Sequence, residues 1–106
     1  MLIVTTENVA GYKVSESKGE VFGLVVRSRG LGGNIVAGLR SLIGGEIHEY
    51  TSMLEDARKQ AIDRLVVNAT AMGANAVVMM RFDSSEIGQN MSEIVAFGTA
   101  VVIEKV

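Results

Sequence analysis

No cysteine occurs anywhere in the chain, which excludes both a disulfide framework and thiolate metal sites. A single histidine, His48, is too few for one chain to close a four-ligand zinc site on its own. Charge of one sign is also scarce. Ten basic and twelve acidic residues leave a formal net charge of −2, so there is neither the basic footprint of a nucleic-acid binder nor an acidic tail. The longest apolar run, 94–103, is about half the roughly 20 residues that a membrane helix needs, and it reads as a strand. The opening MLIVTTEN lacks a basic flank and a long apolar segment, so no signal peptide is expected there. These absences leave one cytoplasmic domain over residues 1–106 as the expectation, close to the modal domain size.

What is present is most informative between Glu49 and Asp83. Leu54, Ala57, Ala61, Leu65, Ala69 and Met72 recur at steps of three and four, placing them on one face of a helix that Ile62 and Val66 widen. Ser52 and Glu55 have the spacing of a capping box, which predicts the helix start. Gly73 is the expected left-handed stop, and Ala76–Phe82 follows as an apolar, β-branched run of strand length. Upstream, Leu2–Thr5 reads as a short strand. Tyr12–Ser17 and Glu20–Arg29 read as strands joined at Lys18-Gly19, either a hairpin or one bent ribbon. Gly30, Gly32 and Gly33 mark a turn, and Asn34 then caps an expected short helix carrying Ile35, Leu39 and Leu42. Residues 83–92 read as a polar loop before a last strand, Glu93–Glu104.

The pattern GGE at 44–46, Tyr50, Leu54, Ala57-Arg58, Ala61, GANAVV at 73–78 and GTAV at 98–101 resembles the YbjQ-like family, described as heavy-metal-binding domains. The resemblance runs from about Gly23 to Val102. It implies an α+β fold related to dodecin subunits: an antiparallel sheet, one long and one short helix packed on one face, and a ring-shaped oligomer, a pentamer.

Alternation within the last strand points toward assembly independently. Ile94, Ala96, Gly98, Ala100 and Val102 face one way, and Val95, Phe97, Thr99, Val101 and Ile103 the other. Neither face is polar, as expected for a strand covered on both sides. The small residues can admit the alanine-rich helix closely, which leaves the bulkier face for a neighbouring subunit. A homo-oligomer follows from this pattern.

Candidate sites are few. RGLGGNIVAGLR, residues 29–40, departs from both nucleotide-binding glycine fingerprints, although amides at Asn34 with Arg27, Arg29 or Arg40 nearby could hold an anion. Glu46, His48 and Glu49 could chelate a divalent ion. With one imidazole and no thiolate, that set suits zinc, nickel or manganese and would have to be completed by other subunits. Arg58 lies at the edge of the helix stripe and calls for a carboxylate partner, Glu46 or Glu49. The methionines read as core filling. No nucleophile, base and orienting group fall at recognisable spacing. The sequence therefore favours a non-enzymatic homo-oligomeric binding protein, its ligand a divalent metal ion or small anion held between subunits. The alternatives are a structural or protein-interaction module with no small ligand, or a small hydrolase using Glu46, Glu49 and Tyr50.

Overall fold

A computed structural model describes residues 1–28, 48–88 and 91–106, apart from the side chains of Ser28, Glu49 and Tyr50. The elements are β1 (Leu2–Ile3), β2 (Tyr12–Ser28), α1 (His48–Ala71), β3 (Ala76–Ile87) and β4 (Met91–Lys105). They make an α+β fold around one four-stranded sheet of order β1-β3-β4-β2. β1 runs parallel to β3, whereas β3–β4 and β2–β4 are antiparallel. The sheet is mixed where the family resemblance implies an antiparallel one. Joining two parallel strands requires a long crossover, and the chain through β2 and α1 supplies it.

Two local expectations change, and one open alternative is decided. The helix begins at His48, so Ser52 lies inside it, exposed, and cannot be its cap. The apolar stripe fixes the helix face but not its first turn. Residues 83–87 belong to β3, and β4 starts at Met91, so most of the expected polar loop is a hairpin arm with Asp83 opposite Val95 and Ile87 opposite Met91. Polar side chains there mark a solvated end of the sheet, because β4 satisfies the backbone whatever the side chains do. Of the two readings for 12–29, the bent ribbon holds. β2 is one strand with register shifts at Val14/Glu16 and Ser17/Gly19, and Gly19 takes the φ of +111° that a side chain would resist. The expected short helix at 34–43 lies outside the described residues.

Packing follows the helical stripe. Ala57, Ala61, Leu65 and Ala69 are fully buried against Val21, Val25, Ala96 and Ala100, and Ile62 and Met72 pack beside them. The alanines and Gly23 let α1 lie almost directly on β2. On the opposite face Ala76, Val78, Val101 and Ile103 form a second cluster, covered by Val4 and Val9 from the chain's own N-terminal segment. That cover corrects part of the two-sided reading: at this end the far face is closed by the same chain, with no neighbour required.

The junction GANAVV owes its form to Asn75. Its side-chain amide donates to the Ile103 carbonyl at 3.0 Å, and its Oδ1 accepts from the Ile103 amide at 2.7 Å. Its own backbone amide donates to Val101. The side chain thus imitates one more strand residue beside β4 at the turn from helix to sheet. Asn75→Ala is expected to lower unfolding free energy by about 2 kcal/mol, since two bonds go and a partly buried amide loses its partner. Urea denaturation with an unchanged slope would show it.

Candidate functional site

α1 packs on β2 and β4. Beside its first half, Phe82, Ser84 and Glu86 of β3 form the floor of an open cleft of ≈ 800 Å³. Leu54, Glu55 and Arg58 make the helix wall, with Ile94 on the inner strand β4 and Arg27 on the edge strand β2. Leu54, expected in the helix core, is 46 % exposed because the described part of the chain does not cover this end of the stripe.

Two cations organise the cleft. Arg27 at the end of β2 pairs with Asp56 of α1 at 2.7 Å, and Gln60 donates to the same carboxylate oxygen at 3.3 Å. The Nε of Arg27 is buried and has no hydrogen-bond partner among the described residues. Arg58 sits over the Phe82 ring, 4.9 Å from its centroid, within cation–π range. This ring is a contact that the sequence gives no reason to expect, since Arg58 points to Glu46 or Glu49 on charge grounds alone. Glu55 and Glu86 stand on the same side as these cations. Asp83, Ser85 and Glu93 border the cleft but alternate to the other face of the sheet, where Ser85 donates to Glu93 at 3.1 Å.

The sequence-predicted metal set is only partly located. His48 is exposed in the first turn of α1, and Glu49 follows it in the helix. The side chain of Glu49, together with Glu46, Asn34 and Arg40, lies outside the described residues. Among the described residues no three His, Cys, Asp or Glu side chains converge to hold a metal ion. A metal site complete within the described part of one chain does not fit. Asp56 and Phe82 escaped sequence reasoning, and Arg27 entered it only as a neighbour of an anion at Asn34: the ion pair spans 29 positions, and only the register of β2 under α1 brings it together.

A family profile described as "Putative heavy-metal-binding" (YbjQ) matches residues 1–104. A UPF0145 protein from Bradyrhizobium sp. (strain ORS 278) is 71% identical over 104 residues, covering 98% of this chain and 94% of that one. UPF0145 proteins from Sulfurisphaera tokodaii and Methanocella arvoryzae are 60% and 59% identical, over 99% and 98% of this chain and 92% and 87% of their own lengths. In fold, the chain is similar to a crystal structure of a DUF74-family protein of unknown function from Pediococcus pentosaceus. That match has a TM-score of 0.65, 15% identity and 98% coverage of both chains. No helix among the described residues is long and apolar enough to cross a membrane. With the GANAVV junction, the alanine stripe and near-complete alignment all in agreement, the chain belongs to the YbjQ family of UPF0145 proteins.

Proposed function

We propose that this protein is a homo-oligomeric binding protein whose copies associate through the open face of the sheet and share a small ligand between them. The observation that carries this reading is the far face, which the described residues leave open: Phe22, Val26 and Phe97 are 51 %, 47 % and 39 % exposed. Phe22 lies opposite Phe97 and Leu24 opposite Val95 in the β2–β4 register, so the side chains form one continuous apolar surface. Such contiguity on a soluble chain marks an interaction surface. A ring of dodecin-like subunits, five in number, is the assembly that the family resemblance implies.

The ligand reading that goes with it is a divalent metal ion or small anion held where subunits meet. One histidine and no cysteine per chain, and no convergent set within the described residues, favour donors contributed by several copies. Glu46, His48 and Glu49 are the donors proposed, and zinc, nickel or manganese suits them better than a thiophilic ion. His48→Ala is expected to reduce the metal retained by purified protein to less than half of the wild-type amount. Elemental analysis after dialysis measures it. Equal metal content in the two proteins, or none in the wild type with no thermal shift across a metal panel, rules out the metal ligand. A small anion as the shared ligand, or a structural or protein-interaction module with no small ligand, then remains.

A further inference from the structure

Among the described residues β2 ends the sheet, so alternate backbone groups along it meet no other described strand. A long bare edge is a template for pairing with another extended chain. Here the edge is occupied from an unexpected direction. Asn68 Nδ2 of α1 donates to the Phe22 carbonyl at 2.7 Å, and Arg64 Nη1 donates to the Leu24 carbonyl. The spacing makes this possible. Residues four apart on a helix are about 6 Å apart along its axis, and residues two apart on a strand are separated by about 6.7 Å on the same edge. One turn of α1 therefore matches one repeat of β2. Gly23, between the two acceptors, lets the helix come close enough for both side chains to reach over the strand.

We infer that Arg64 and Asn68 form an edge guard, closing the middle of β2 to strand addition by β2 of a second copy. A docking strand would need the Phe22 and Leu24 carbonyls as acceptors, and both are already used. The sequence of the edge explains why a guard is needed: VFGLVV at 21–26 is apolar, β-branched and uncharged, the composition that pairs readily when exposed. Lysine or proline, the usual deterrents on an edge, are absent from these six positions. The guard thus bars edge pairing while leaving the sheet face available. It stands on its own hydrogen bonds and does not depend on the face contact.

A labelled peptide of residues 19–28, GEVFGLVVRS, serves as the probe strand. Fluorescence anisotropy is expected to show no saturable binding to wild type and binding at least tenfold tighter to the Arg64→Ala/Asn68→Ala protein. The Asn68→Ala protein, which retains the Arg64 bond, should fall between them, and it decides the matter if the double variant does not fold. Backbone amides of Phe22 and Leu24 in the peptide-bound variant should also gain protection from hydrogen exchange. Wild type binding the peptide as tightly as Asn68→Ala, or neither variant binding it with helix content intact, overturns the inference.

Discussion

Gly23→Ala should lower the unfolding free energy by roughly 3 kcal/mol, at the upper end of the overpacking range. A Cβ at this position would stand 2.2 Å from the Ala61 carbonyl oxygen and 2.4 Å from the Leu65 amide nitrogen. Both are backbone atoms of α1, so no rotamer change relieves the collision. The helix has to lift, and in lifting it loses the close fit of Ala57, Ala61, Leu65 and Ala69 against the sheet and stretches the Asn68 and Arg64 bonds to β2. Gly11→Ala is the natural comparison. Nothing lies within 4 Å of a Cβ there, and only the φ of +80° opposes a side chain, a cost of about 1 kcal/mol. Urea denaturation of both variants separates contact from conformation. If Gly23→Ala loses no more than Gly11→Ala, α1 does not sit on β2 as closely as described.

Gly23 also shows which parts of the fold were legible. Its role is invisible in a one-dimensional pattern, because the partner backbone lies about 40 residues away. The alanine stripe, by contrast, is periodic and local, and it correctly gave the face of α1 that is buried. The β4 alternation likewise placed Ala96 and Ala100 under the helix. Boundaries failed where polarity was taken for irregularity: Asp83–Glu86 is polar strand, its backbone held by β4. The parallel β1–β3 pair was unreadable because two residues of strand carry almost no signal. The cleft was harder still. Arg58 stood out by its place on the stripe, but its ring partner Phe82 and the Arg27–Asp56 pair depend on long-range register. The far face was half right. Its apolar character was evident, yet Val4 and Val9 cover one end of it, and that fold-back has no periodic signature.

The uncovered end of that face makes the second large prediction. Phe97→Glu should weaken self-association at least a hundredfold while leaving the subunit folded. The side chain is 39 % exposed and its cross-strand neighbour Phe22 is 51 % exposed, so a single subunit can solvate a glutamate at 97 with little loss. Between two apolar surfaces the same carboxylate would be stripped of water without a partner, which costs about 3–5 kcal/mol. Arg81, opposite residue 97 on β3, offsets part of that cost, but its Nη1 is held by the Thr5 and Met80 carbonyls and Asp83 and Glu93 add like charge, which keeps the expected weakening at about a hundredfold or more. Sedimentation velocity at micromolar concentration should therefore show a multimer for wild type and a monomer for Phe97→Glu, with the same far-UV circular dichroism. Val67→Glu, on the side of α1 away from the sheet and 67 % exposed, should sediment like wild type. A wild type that is itself monomeric, or a Phe97→Glu protein that remains fully assembled, would show that this surface holds no sister chain.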